Sequence, residues 1–261
     1  MRVSTEFESF GALYEELEEE ELGLDLAPLF SPRQSLGRRF GRREWLEFEE
    51  SSGAPVFDIE CAPCPVKDCR PLLRQAIVEA IRLAKRAADK LEAASKLAPN
   101  DRDPAAQKTA QLFMASFCHD PSLPIPWAGN EASGLSIAKR LRLVARELGG
   151  GRRIQFVCLP TVSPCTTASC CPDDIARARQ GEPVILCEEF WKDSDLEGLP
   201  TVDRRAGVLI HEMLHFLFAS TTRERGIVDM GPKRAVADCY EAFVLRVNGF
   251  VTLGGKCKKC K

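Results

Sequence analysis

The chain has 261 residues, a formal net charge of -2 at pH 7, and a composition in which 44% of the residues are hydrophobic. This length and apolar content suit one large domain, or one domain with an extension. A net charge so close to zero gives no global field that would favour nucleic acid, so we expect no nucleic-acid partner. No apolar stretch has the length needed to cross a bilayer, and we therefore predict no membrane span.

Cysteine is frequent, with 12 residues in the chain. Clustered cysteines are typical of a disulfide framework in an oxidising compartment, or of metal-binding and free thiols in a reducing one. The N-terminal sequence is acidic and lacks the basic and apolar regions of a secretory signal peptide. We therefore expect a secreted or exported protein that uses a route without a recognisable signal peptide, with the cytoplasm as the alternative location.

Residues 1–55 differ in composition from the rest of the chain. An acidic run that includes Glu18 to Glu21 is followed by sequence rich in serine, glycine and arginine. Like-charge blocks with this punctuation are typical of flexible segments. We predict a flexible N-terminal extension over 1–55, which is either a solvated tail or a leader or pro-segment removed near the arginine pairs. A separate domain is predicted over 56–261.

The periodicity of residues 56–261 predicts an α+β fold that is mostly α, with a small β region. Apolar residues at helical spacing predict a long helix from Arg70 to the proline at 99, and shorter helices over 104–118 and 132–148. Two short apolar runs, at 152–159 and 182–191, predict strands. Two more helices are expected, over 202–220 and from 234 to a stop at Asn248 and Gly249.

One predicted helical segment, at 206–218, reads AGVLIHEMLHFLF and contains two of the three histidines of the chain. His211 and His215 are four residues apart, so on an α-helix they lie one turn apart on the same face and can bind one zinc ion. Glu212 is offset by one residue, which places it to act as a general base toward a water molecule at the metal. The segment therefore predicts the zinc-peptidase motif His-Glu-x-x-His.

A catalytic zinc ion needs a third protein ligand. No histidine follows His215, and His119 lies far upstream, so we expect a carboxylate from the downstream sequence. The candidates are Glu224, Asp229, Asp238 and Glu241. Position alone leaves two choices open, which are Asp229 on the loop after the motif helix and Glu241 on the next helix.

Four segments, PVILCEEFWK, RRAGVLIHEMLHFLF, GIVDMG and VADCYEAF, together resemble the aspzincin metallopeptidases, the family of deuterolysin and peptidyl-Lys metalloendopeptidase. The resemblance extends over roughly 70–250 and is sharpest over 183–244. It implies a zincin-like metallopeptidase domain that acts as a zinc-dependent endopeptidase on protein or peptide substrates. It also implies that one catalytic Zn²⁺ is bound by His211, His215 and Asp229, with Glu212 as the general base.

The resemblance implies further roles outside the zinc site. Asp238 matches the aspartate that helps to receive the substrate lysine in the Lys-specific members, which implies a preference for lysine on the primed side of the scissile bond. Pro232 stands where the family has a tyrosine, and Tyr240 is the candidate for supplying an equivalent hydroxyl group to the substrate. Cys187 matches a strand cysteine of the family, whose disulfide partner is then expected among Cys158, Cys165, Cys170 and Cys171.

Alternatives remain open at this stage. The replacement at Pro232 leaves room for a peptidase-like binding module that keeps the zinc site but has little or no turnover, and a small cysteine-stapled domain would carry the motif by coincidence. Cys61 with Cys64, and Cys257 with Cys260, have the spacing of zinc knuckles, so a structural zinc site with four thiolate ligands is the alternative to disulfides there. We expect the protein to be a monomer.

Overall fold

A long central helix organises the part of the chain that the computed structural model describes, which is residues 55–61, 64–124, 131–166, 168–172, 174–193, 201–218 and 236–250. This helix, α1 (Cys69–Ser95), buries alanine, leucine and isoleucine side chains along its whole length. Small alanine side chains let neighbouring helices approach closely. Apart from Pro124 and Glu131, the described residues belong to one unit that spans 52–123 and 132–261.

Four other helices pack against α1. They are α2 (Pro104–Phe117), α3 (Ser133–Arg146), α5 (Thr201–Phe218) and α6 (Ala237–Val247). A fifth, short helix, α4 (Glu188–Trp191), precedes α5. Helix α6 also contacts α2 and α5, so it lies among three helices. The helices predicted from periodicity are confirmed, including the stop of the last one, where Gly249 has a φ of 97°.

The contact between α1 and α6 is fixed at the end of α6. Asn248 donates a hydrogen bond from Nδ2 to the carbonyl oxygen of Leu83 in α1 (3.1 Å), and Lys90 of α1 donates to the carbonyl oxygen of Val247 (2.6 Å). The last carbonyl groups of a helix have no partner within it, and Lys90 satisfies one of them. These bonds set where α6 lies along α1.

The small β region is a four-stranded sheet in the order β1-β2-β4-β3. Its strands are β1 (Phe57–Glu60), β2 (Ile154–Cys158), β3 (Ala176–Arg177) and β4 (Val184–Leu186). Strand β2 is parallel to both β1 and β4, whereas β3 pairs antiparallel with β4 and lies at the edge. The predicted strands at 152–159 and 182–191 are confirmed in β2 and β4, but the second ends at Leu186, where α4 soon begins.

Disulfide bonds connect the sheet to its surroundings. The pairs are Cys61–Cys69, Cys64–Cys158, Cys165–Cys171 and Cys170–Cys187, and Cys118 and Cys239 are also disulfide-bonded. The expected disulfide framework is therefore confirmed, and Cys187 pairs with one of its four candidate partners. Disulfides persist in oxidising compartments, which supports an extracellular location.

The alternative of a structural zinc site with four thiolate ligands is wrong. Cys61 and Cys64, which would supply half of its ligands, form disulfides with two different cysteines. A sulfur atom in a disulfide is not a thiolate and does not bind zinc in this way. Cys257 and Cys260 lie outside the described residues.

Among the helices that the structure describes, none combines the length and the apolar character of a membrane span.

Two carboxyl groups meet where α1 packs against α5. Asp203, in the first turn of α5, is buried and shares a hydrogen bond with Glu79 of α1. Arg82 donates to both carboxylate oxygens of Glu79, and this bond lowers the pKa of Glu79. Burial, followed by the hydrogen bond and the charge of Glu79, raises the pKa of Asp203 to about 6. At neutral pH a second negative charge is thus held next to Glu79.

The raised pKa predicts that Asp203 weakens the fold at neutral pH. Its carboxyl has an ordinary pKa of 3.8 and a folded-state pKa of about 6, so the native state binds the extra proton between these values. The contribution of Asp203 to the free energy of unfolding therefore falls as the pH rises through this window. We expect Asp203→Asn, which keeps a donor for Glu79, to be more stable than wild type by on the order of 1 kcal/mol at pH 7.5.

Urea unfolding of both proteins at pH 7.5 and pH 4.5 measures this effect. Near pH 4.5 the wild-type carboxyl is largely protonated, so the stabilisation by Asn should be much smaller there. A stability difference that is the same at both pH values would contradict this assignment.

Candidate metal centre

Two histidines of α5 bring their imidazole rings together inside the protein. His211 Nε2 lies 3.0 Å from His215 Nε2, and the two ring centroids are 4.8 Å apart. Both residues are buried, as is Glu212. The pairing follows from local structure, because residues four apart on a helix share one face. The apolar residues around them, among them Leu209 and Met213, are buried as well.

The spacing of the two Nε2 atoms suits a shared metal ion. Two nitrogens that each bind a tetrahedral zinc ion at about 2.0–2.1 Å are about 3.3 Å apart. The distance of 3.0 Å between the two Nε2 atoms lies within a few tenths of an ångström of that value. The structure therefore brings His211 and His215 together as the sequence motif predicts, and a metal ion shared by them would be bound through the two Nε2 atoms.

The opposite edge of the His211 ring faces two carboxylates of α6. Glu241 Oε2 lies 3.2 Å from Nδ1 of His211, and Asp238 Oδ1 lies 3.1 Å from the same nitrogen. Burial favours the neutral ring, but the two carboxylates outweigh burial and raise the pKa of His211 to about 10. Because ionised carboxylates only accept hydrogen bonds, Nδ1 carries a hydrogen. The raised pKa also keeps a hydrogen on Nε2 in the metal-free protein, and Nε2 of His215, 3.0 Å away, can accept it; a metal bound at Nε2 would displace this hydrogen.

These groups also permit a second metal arrangement. One ligand atom each from His211, Asp238 and Glu241 lie within 4.8 Å of one another. In this arrangement, which we call the acidic triad, His215 is not a ligand. The grouping of Asp238 with Glu241 was not predicted from the sequence, although residues three apart on a helix lie on the same face. The sequence does not show that both carboxylates face the same residue of α5, which is His211.

A buried arginine, Arg205, connects the first turns of α5 to α4. Arg205 donates hydrogen bonds to the carbonyl oxygens of Phe190 (2.9 Å) and Trp191 (2.7 Å) and to Oδ1 of Asp193 (3.0 Å). The two carbonyl groups belong to the last residues of α4, where no helical partner follows. Cys187, just before α4, is held by its disulfide with Cys170. Helix α5, which contains the histidine motif, is thus anchored to the disulfide-bonded β region.

The residues expected to contact substrate lie inside the protein. Tyr240 is fully buried, its hydroxyl lies 3.4 Å from Nη1 of Arg140, and its ring packs edge-on against Phe117. Tyr240 is thus a core residue, and its predicted role toward a substrate stays a prediction. Asp238 is 4% exposed and stands behind His211, so it does not line an open pocket among the described residues.

The predicted third ligand, Asp229, lies outside the described residues, as do Glu224 and Pro232. Helix α5 ends at Phe218 and α6 begins at Ala237. The sequence segment that contains Asp229 therefore connects the two helices that form the site. Of the histidines, His119 follows α2 and is half-buried there.

The chain was compared with protein-family models, with curated proteins and with solved structures, and none of them matches it. The function is therefore inferred from the chemistry of the site.

The position of the two Nε2 atoms predicts that His215 is needed for zinc binding. We expect His215→Ala to lower the zinc affinity at least about 100-fold, because a zinc site with too few protein ligands is greatly weakened. Competition with a chromophoric chelator measures this affinity. His119→Ala, which removes the histidine outside the motif, is the matched control and should bind zinc like wild type. Unchanged affinity in His215→Ala would instead favour the acidic triad.

Proposed function

We propose that the protein is a zinc-dependent endopeptidase that hydrolyses protein or peptide substrates. The observation that carries the proposal is the pair of Nε2 atoms of His211 and His215, 3.0 Å apart, with buried Glu212 next to His211 on the same helix. The resemblance of this segment to the aspzincin peptidases supports it. In this proposal His211, His215 and Asp229 are the protein ligands of one Zn²⁺.

Both the bound metal and residues of the chain would contribute to hydrolysis. Zinc, when bound, supplies Lewis-acid activation of a water molecule and of the scissile carbonyl group. Glu212 accepts a proton from the attacking water and later donates it to the leaving amine as the C–N bond breaks. Glu212 is itself buried, and electrostatic interactions of a buried carboxylate are stronger than those of an exposed one.

A preference for lysine on the primed side of the scissile bond belongs to the same proposal. It is based on the resemblance at Asp238. In addition, Asp238 and Glu241 place two carboxylates against the single His211 ring, so they would attract an ammonium group through their charge and, for buried Asp238, without direct contact. Export to an oxidising compartment is likewise part of the proposal, and the disulfide framework supports it.

A second candidate function is a peptidase-like binding module that keeps the metal but has little turnover. Two observations favour it. Pro232 occupies the position at which the related peptidases have a tyrosine, and Tyr240, the expected substitute, is fully buried. In a module of this kind Glu212 would have no proton to transfer.

The enzyme proposal predicts that Glu212→Gln abolishes proteolysis but retains zinc. We expect wild-type, zinc-loaded protein to digest casein, and the variant to lose about 10²–10⁴-fold in rate, because an amide cannot act as a general base. The zinc content of the variant should equal that of wild type. Glu182→Gln, an exposed substitution of the same kind, is the matched control and should digest casein normally.

The outcomes separate the two candidates. If wild type and Glu212→Gln bind zinc equally and digest casein equally poorly, the enzyme proposal is wrong and the binding module is favoured. If neither protein binds stoichiometric zinc, both candidates are wrong.

A further inference from the structure

Helix α6 approaches α5 closely at Gly207, one turn before His211. A Cβ atom added to Gly207 would lie 3.4 Å from Oε1 of Glu241 and 3.3 Å from Cδ1 of Leu245. The first distance is ordinary van der Waals contact and the second is slightly tighter, so an alanine at 207 would touch Glu241 and displace Leu245 by a few tenths of an ångström, and a larger side chain would crowd both. The absence of a side chain therefore makes the space in which Glu241 lies against α5.

From this position the two oxygens of Glu241 contact different parts of α5. Oε1 lies over Gly207, while Oε2 lies 3.2 Å from Nδ1 of His211 and in hydrogen-bond geometry with it. Oδ1 of Asp238 is as close to that nitrogen, at 3.1 Å, yet it forms no hydrogen bond. Glu241 therefore accepts the Nδ1 hydrogen in this geometry, and Asp238 also stabilises the protonated ring, since both carboxylates raise the pKa of His211.

We propose that Glu241 is a positioning residue that holds the His211 ring with Nε2 directed at the metal. Gly207, which has no side chain, leaves the space that Glu241 occupies against α5. The inference rests on the proposed zinc site. From its position in the sequence, Glu241 was considered as a direct zinc ligand. The inference gives it a different role. A carboxylate that accepts the remaining ring hydrogen fixes the orientation of a metal-binding histidine and increases its basicity.

The hydrogen on Nδ1 separates positioning from ligation. A metal bound to Nδ1 would displace that hydrogen and would turn Glu241 and Asp238 into ligands, as in the acidic triad. The ring would then offer Nε2 to His215 without a metal between them. In the positioning role the hydrogen stays on Nδ1 of His211 and is accepted by Glu241, and both Nε2 atoms face one ion. The two roles predict different effects of removing the charge of Glu241 while keeping an acceptor.

The test measures zinc affinity by chelator competition on the full chain, for wild type, Glu241→Ala, Glu241→Gln and Gly207→Ala. We expect Glu241→Ala to lower the affinity about 10–100-fold. Glu241→Gln retains an acceptor oxygen, so its affinity should stay much closer to wild type. Gly207→Ala should lower the affinity in the same direction but by less, because the added methyl group touches Oε1 of Glu241, and its melting temperature is measured alongside, since the helix propensity of alanine and the contact with Leu245 act in opposite directions.

Cobalt substitution supplies a second readout. The visible absorption of Co²⁺ bound to Glu241→Ala should match that of wild type, because the ligands themselves are unchanged. Glu182→Ala, at an exposed position, is the control for loss of a carboxylate elsewhere and should leave affinity and spectrum unchanged.

Two results with the variants would overturn the role of Glu241, and a third would overturn the role of Gly207. Unchanged zinc affinity in Glu241→Ala would show that the carboxylate does not position the ring. An equally large loss in Glu241→Gln, together with an altered Co²⁺ spectrum, would make Glu241 a ligand. Normal affinity in Gly207→Ala, with a loss in Glu241→Ala, would remove Gly207 from the account. Zinc binding is measured without turnover, so a wild-type chain that binds zinc but cuts no protein refutes only the peptidase proposal. A wild-type chain without zinc refutes both.

Discussion

The site depends on one constraint, which is that two imidazole rings one helical turn apart have their Nε2 atoms directed at the same point. A histidine ring has two nitrogens, and either can face a metal. In His211 the choice is made by α6, because the carboxylates of Asp238 and Glu241 lie beside Nδ1. Helix α5 thus supplies the spacing of the rings, and α6 supplies the orientation of one of them.

The rest of the fold keeps these two helices in place. Helix α1 contacts both, and its hydrogen bonds with the end of α6 fix the position of that helix. At the other end of the site, Arg205 connects α5 to α4 and to the disulfide-bonded β region. The close approach at Gly207 then permits the contact between α5 and α6. The hydrogen bonds between α1 and the end of α6 join residues that are more than 150 positions apart in the sequence.

Much of the helical architecture was predictable because it is encoded by local periodicity. The long apolar stripe of α1 and the motif on α5 each repeat at helical spacing, so their positions and the pairing of His211 with His215 follow from short stretches of sequence. The strands β1 and β3 were not predicted. They are two to four residues long, and the partner strand of β1 lies far along the chain. Similarly, the end of β4 was misplaced because a short apolar run suits a strand or a helix.

The surroundings of the motif were less predictable, because they depend on how α5 and α6 cross. The sequence suggested Asp238 as a substrate-binding residue and Tyr240 as a substitute hydroxyl. The structure places the first behind His211 and the second in the aromatic core. Both are on α6, whose first turns face the metal-site helix and α2. Periodicity shows that these residues lie on a helix, but it does not show which neighbour each of them meets.

X-ray absorption at the zinc edge of the purified full-length chain tests the central claim most directly, because it reports the atoms bound to the metal. The account predicts one zinc ion per chain with two imidazole nitrogens at about 2.0–2.1 Å, the remaining ligands being oxygen, and no sulfur. A spectrum with a single imidazole, or with sulfur at about 2.3 Å, would contradict a zinc ion shared by His211 and His215.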